Sequence, residues 1–246
     1  MGSTIVLEKL SLSLGCEDWN GSGALYGTRG QIKESKRMLR QALKGKVQRL
    51  SFMTDTTLSI AKRFPKVIGA ILRIDLVSFL PVMESLYGMQ QGIPSDATMS
   101  SVYWRKKQPP PKLKDPDRDR CGLIWYSPVA PLDGMHAKII YSTAKKIMLS
   151  FSFEPLIAFV FMSERTLCSV IAIVYDRNVP GEDTKAMKCH YAIITALTEL
   201  GYYPYRLGIQ NMLKLPPDNG EYQKLVSHLK QTLDPNHILS PGRYEF

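Results

Sequence analysis

The run Tyr202-Tyr-Pro-Tyr-Arg206 is the stretch of this sequence best equipped for chemistry. A strand end that sets phenol groups beside a guanidinium can bind a small anion, because arginine stays charged and lowers the cost of a neighbouring phenolate or carboxylate. Ordinary strand aromatics would give the same run, so the spacing by itself leaves both readings open. Other constellations mainly exclude. Gly21-Ser-Gly-Ala-Leu-Tyr-Gly27 invites comparison with a dinucleotide-binding loop, but its third glycine falls one residue late and a strand is expected through it. No Gly-x-Ser-x-Gly elbow occurs, and His136, His190, His228 and His237 lie too far apart for metal-ligand spacing, which marks them as surface or helix-face residues. Cys16, Cys121, Cys168 and Cys189 never form a C-x-x-C pair and read as reduced, structural thiols of a cytoplasmic protein.

The elements that must position these residues fall into three stretches. In residues 1–88 a short strand is expected at 23–27, a helix at 30–44 with Gly45 as its cap, and a second strand at 47–53. A long helical insertion then runs from Asp55 to about Tyr87, broken near Pro65 and again near Asp75 or Pro81. Residues 89–120 dissolve into Gly, Pro and charge and read as an extended loop. In 121–246 the pattern predicts a strand at 122–128, a helix at 136–149, strands at 155–162 and 167–175, and a helix at 183–200. A last helix at 222–233 precedes an extended, docked tail. This order predicts an α+β fold, an antiparallel sheet covered on one face by helices in a ferredoxin-like split βαβ unit, with the first strand, helix and strand as its partial repeat.

Composition is that of an ordinary globular chain, with 44% hydrophobic and 22% charged residues among 246. The net charge of +10 concentrates between Arg29 and Arg49, where eight basic residues stand against Glu34 as the one acid. Such a face could meet phosphates, a membrane surface or an acidic partner. Without interleaved aromatics to stack on bases it reads as a solvated helix face, and nucleic acid is not the expected partner. The longest apolar segment, 67–87, is interrupted by Arg73, Asp75 and Glu84, so no membrane span is expected.

The ending Asp234-Pro-Asn-His-Ile-Leu-Ser-Pro-Gly-Arg-Tyr244 resembles the signature that closes many FAD-linked oxidases of the vanillyl-alcohol oxidase superfamily. Trp19 to Thr28, Ser101-Val-Tyr-Trp-Arg105, Cys121 to Pro131, Phe153-Glu-Pro155 and Ser163-Glu-Arg165 resemble the 4-cresol dehydrogenase (hydroxylating) branch in the same order. The likeness is to the C-terminal, substrate-capping half of this vanillyl-alcohol oxidase / 4-cresol dehydrogenase flavoprotein family. It implies FAD-dependent oxidation of a para-substituted phenol by hydride transfer. The Tyr-Arg pair at Tyr205 and Arg206 would contact the phenolic oxygen. The strand carrying Glu164, Arg165 and Cys168 would face the flavin, and Asn236 and Arg243 of the closing signature would also bind cofactor. No histidine lies between Pro155 and Arg177, which excludes a histidyl-flavin bond on that strand. The sequence starts inside what resembles the junction to the cap, so the resemblance implies a separate FAD-binding domain or subunit as partner. It further implies oxygen or a cytochrome c as electron acceptor, with homo-oligomerisation open. An isolated cap that binds or assembles without catalysing is the competing expectation.

Overall fold

The computed structural model describes residues 19–72, 75–108, 112–214 and 220–243, and the chain divides into two compact units, Met1–Ser100 and Ser101–Phe246. Cys16 and Tyr244, both singled out above, lie outside the described residues.

The first unit is helical. Helix α1 (Arg29–Leu43) starts at Thr28, whose hydroxyl accepts from the Gln31 amide while the Gln31 side chain accepts from the Thr28 amide at 2.8 Å. This reciprocal box satisfies two amides that the first turn leaves without helical partners. The basic residues Lys33, Arg37, Arg40 and Lys44 recur at helical spacing and are exposed. Lys36 and Arg40 lie over the Phe52 ring at 5.4 and 5.0 Å.

Helices α2 (Asp55–Arg63), α3 (Pro65–Leu72) and α4 (Leu76–Gln90) follow. Pro65 opens α3 at the position where a missing amide donor costs least. The Asp75 carboxylate accepts from the Ser78 amide and so caps α4. The expected breaks therefore fall at Phe64 and around Asp75, while Pro81 is accommodated inside α4. The expected strands at 23–27 and 47–53 do not form. Neither run belongs to the sheet, and without a partner ladder an apolar alternation has nothing to bond to. Among the described residues of this unit there is therefore no strand-helix-strand repeat.

Between Met89 and Arg120 the chain is not one loop, since a 3-10 helix forms at Asp96–Tyr103. In the second unit strands β1 (Cys121–Tyr126), β2 (Val129–Pro131), β3 (Leu156–Phe161) and β4 (Thr166–Asp176) form one antiparallel sheet with β4 at its centre. Ile171 pairs with both Tyr126 and Ile157, and Cys168 with both Val129 and Val160. Hence β1 and β2 share one side of β4 and β3 takes the other. Outside β2 an isolated bridge, Pro128 to Pro204, adds residues 203–205 as an edge. The order from edge to edge is thus the 203–205 edge, β1/β2, β4, β3, with helix α5 (Gly134–Ser150) crossing from β2 to β3 and helix α6 (Glu182–Glu199) following β4. This is the ferredoxin-like split βαβ arrangement.

Both helices cover the same face. Ile140, Ala144 and Met148 of α5 and Ala186, Cys189, Ile193, Ile194 and Leu197 of α6 pack with Tyr126, Ile171, Ile173 and Tyr175 in one core. Gly122 is required there, because a Cβ at that position would lie 2.3 Å from the ring of its cross-strand partner Tyr175. At the far end of β4 the Asp176 carboxylate accepts from Lys106 Nζ at 2.7 Å, and Arg105 pairs with Glu154 at 2.7 Å and Glu182 at 3.3 Å.

The last helix, α7 (Glu221–Leu233), leads into turns rather than an extended segment over the described residues of the tail, and Ile238 and Leu239 there are exposed. Among the described residues no helix is long and apolar enough to cross a membrane.

Candidate functional site

Side chains alternate across a strand, so the register sorts β4 into two faces. Ile171, Ile173 and Tyr175 point to the helices. Cys168, Val170, Ala172 and Val174 therefore point the other way, together with their cross-strand partners Trp125, Val129, Leu156, Ala158 and Val160. Among the described residues the two helices of the core lie on the first face; on this second face Cys168 and Val174 are buried, while Trp125 at 62% and Val160 at 46% are exposed.

The edge strand extends the same face. Around the Pro128–Pro204 bridge the Val129 amide donates to the Tyr203 carbonyl at 2.9 Å, and the Tyr205 amide donates to the Ser127 carbonyl at 3.3 Å. Pro128 is fully buried on the helix side, so Tyr202 and Pro204 share that side and Tyr203 and Tyr205 turn to the open face beside Val129. Tyr205 is 55% exposed and Arg206 is exposed as well, with the guanidinium carbon 5.3 Å from the Tyr205 ring centroid. A guanidinium stacked on a phenol ring keeps most of its N–H donors for an incoming anion.

The chain's conformation here is set by helix α6. It ends at Leu200, and Gly201 takes φ +84, the left-handed region that glycine adopts without strain. The Tyr202 amide then donates to Leu197 and the Gly201 amide to Thr198, which closes the helix with a Schellman turn and sends the chain along the sheet edge.

The structure brings Tyr205 and Arg206 together and places Cys168 on the same face, two strands inward. Burial pushes the Cys168 thiol up, so it stands there as a protonated apolar group and not as a thiolate nucleophile. Glu164 and Arg165 are exposed in the β3–β4 hairpin turn, at the end of that face, where the Arg165 carbonyl accepts from the Leu132 amide. Asn236 and Arg243 are exposed in the C-terminal turns. Within that signature the Asp234 carboxylate accepts from the Ile238 and Leu239 amides at 3.0 and 2.9 Å and pairs with Lys230. The Lys230 ammonium first, then these amides, hold the Asp234 carboxyl down at about 2.

Two positions to which the sequence reading gave no site role matter here. His136, in the first turn of α5, meets the Tyr202 hydroxyl at 2.9 Å through Nδ1, and Tyr126 donates its hydroxyl to the Tyr202 carbonyl at 3.4 Å. A lone histidine in a helix carries no spacing signal that would have found it. Cys121 and Cys189, the other cysteines among the described residues, are free and buried, and burial pushes the Cys189 thiol up to about 11. His190 is buried on α6, where its Nε2 meets Asn211 at 3.2 Å.

No family model matches the chain. Among curated proteins it is 39% identical over 242 residues to a 1'-carboxy-chondrochloren decarboxylase of Chondromyces crocatus, covering 98% of this chain and 44% of that protein. It is 23% identical over 239 residues to the 4-cresol dehydrogenase [hydroxylating] flavoprotein subunit of Pseudomonas putida, covering 97% of this chain and 39% of that subunit. Two solved structures share the fold. A 4-ethylphenol oxidase from Gulosibacter chungangensis, in an isoeugenol complex, aligns with TM-score 0.75 at 23% identity, over 97% of this chain and 41% of the other. A p-cresol methylhydroxylase with substrate bound aligns with TM-score 0.70 at 21% identity, over 98% of this chain and 40% of the other. The chain thus spans less than half the length of the curated relatives it matches.

Proposed function

Because the chain corresponds to the C-terminal part of the vanillyl-alcohol oxidase / 4-cresol dehydrogenase flavoprotein family, we propose that it is the substrate side of an FAD-dependent oxidoreductase acting on para-substituted phenols. The observation that carries this reading is the Tyr205–Arg206 pair, stacked at 5.3 Å on an exposed, otherwise apolar sheet face. Tyr205 and Arg206 take the phenolic oxygen and hold it as phenolate. A phenolate pushes electron density toward the para carbon, so stabilising it lowers the barrier to hydride loss from the substituent there. Trp125, Val129 and Val160 keep the site apolar, which strengthens the charge interaction at its edge.

An apolar strand face of Cys168, Val170 and Ala172 fits a flat aromatic ring laid against it. FAD, when bound, supplies the two-electron acceptor for the hydride. Cys168 would lie nearest its ring system, Glu164 and Arg165 would reach it from the hairpin end of the face, and Asn236 and Arg243 from the C-terminal turns. The remainder of the cofactor site comes from an FAD-binding part, in the same polypeptide or another. The matched curated relatives are single polypeptides more than twice the length of the aligned region, which supports the first arrangement.

A second reading has its own observation: the relative at 39% identity is named a decarboxylase of a carboxylated compound. In that case the para substituent carries a carboxylate, which leaves as carbon dioxide after the hydride is removed. The test is anaerobic incubation of the chain, assembled with an FAD-binding part, with 4-ethylphenol and with 3-(4-hydroxyphenyl)propanoate, followed by product analysis. Flavin bleaching with the alkylphenol supports the first reading, and carbon dioxide release from the acid supports the second. Bleaching with neither, from an assembly that holds FAD, would leave a cap that binds without catalysing.

A further inference from the structure

We infer that His136 is a positioning residue for the Tyr205–Arg206 pair and acts through Tyr202; this rests on the reading of that pair as the group that binds the substrate oxygen. The edge segment that presents the pair is weakly fastened. Its one bridge to the sheet joins Pro128 to Pro204, and neither proline has an amide to donate. Two backbone bonds flank that bridge, from Val129 to Tyr203 and from Tyr205 to Ser127, and the second is long at 3.3 Å.

What compensates is the residue just before the edge. Tyr202 is held at three points: its amide by the Leu197 carbonyl, its carbonyl by the Tyr126 hydroxyl, and its own hydroxyl by His136 Nδ1 at 2.9 Å. The His136 and Tyr202 rings meet edge-on, with centroids 5.8 Å apart. The first two contacts fix the backbone of Tyr202, whereas the third fixes its side-chain rotamer and so the rotation of the strand about its axis. Alternation passes that rotation on, since Tyr203 and Tyr205 face the open side only while Tyr202 and Pro204 face the helices. His136 is half-buried in the first turn of α5, whose N-cap Asp133 accepts from the Met135 amide at 2.6 Å, so the anchor itself sits on a capped, rigid turn.

The experiment is amide hydrogen exchange of the full chain, without ligand, for wild type, His136→Phe, Tyr202→Phe and His136→Asn. Loss of the side-chain bond is expected to speed exchange of the Tyr205 amide by roughly threefold to tenfold in His136→Phe and in Tyr202→Phe. The Tyr202 amide and the β4 amides should stay at their wild-type rates. Asparagine can place a polar atom near the position of Nδ1, so His136→Asn should restore the slow Tyr205 rate. Exchange that rises uniformly across the sheet, or a Tyr205 rate that stays at the wild-type value in His136→Phe, would overturn the inference. The substrate reading is decided separately by binding of 4-ethylphenol to the wild-type chain assembled with its FAD-binding part. Absence of binding there would remove that reading, while the exchange rates would still decide whether His136 holds the edge.

Discussion

The two faces of the β-sheet are built from the same strands and do opposite things. Toward the helices, Ile171, Ile173, Ile193 and Leu197 are almost wholly withdrawn from water. On the other side, Trp125, Val160, Tyr203 and Tyr205 keep a third or more of their surface exposed. The covered face supplies stability through apolar burial, and the open face, although Cys168 and Val174 are buried on it, keeps the large side chains at its edges available. A site placed on the open face can vary its chemistry while the covered face keeps the strands in register.

The strongest way to break this comparison is to hollow out the covered face. Ile193→Ala removes a side chain at 0% exposure and should cost about 4 kcal/mol in urea unfolding of the second unit. A cost under 1 kcal/mol would mean the helices do not bear on the sheet as described. Next comes the far end of the open face, where Lys106 closes over Asp176. There burial works to raise the Asp176 carboxyl, and Lys106 together with the Asn178 and Lys107 amides more than offsets it, holding it below the ordinary range. Lys106→Met leaves that carboxylate buried without its cation and should cost about 3 kcal/mol by the same measurement, with Asp176→Asn in the same background recovering part of the loss.

A smaller effect belongs to the C-terminal turn. The Asp234 carboxyl is depressed to about 2, so the order it gives residues 234–239 is complete above the ordinary aspartate range near pH 4 and is lost as pH falls through about 2. Exchange of the Ile238 and Leu239 amides should follow that pH course in wild type and lose it in Asp234→Asn. The smallest effect sharpens the contrast most. Trp125→Ala on the open face should change unfolding free energy by less than about 0.5 kcal/mol, while weakening retention of FAD by the assembled protein.

The covered face was the legible part of this sequence. The α5 and α6 runs and the strands of the second unit repeat at periods that a helix or strand requires, and their limits fall within a few residues of expectation. Which face of β4 stays open was not legible, because Leu167 to Tyr175 reads as a nearly continuous apolar run in which alternation has no contrast. The same weakness produced the strands expected at 23–27 and 47–53. A local apolar pattern does not say whether a partner exists, and the described strands all lie in the second unit. The second break in the helical insertion was expected at Asp75 or Pro81; it falls at Asp75, and the helix that follows tolerates Pro81. Of the candidate site, Tyr205 and Arg206 were visible as residue types side by side. The anchor at His136 was not, since it depends on a contact 66 residues away in sequence.

The central claim, that Tyr205 and Arg206 hold the substrate oxygen on the open face, is tested most directly by the rate of flavin reduction by 4-ethylphenol under anaerobic conditions. The chain assembled with an FAD-binding part would be compared with Arg206→Gln and Tyr205→Phe. Removing a preorganised group from a developing oxyanion should slow that step on the order of 10²-fold in Arg206→Gln, with FAD content and unfolding free energy unchanged. Reduction at the wild-type rate in both variants would contradict the account.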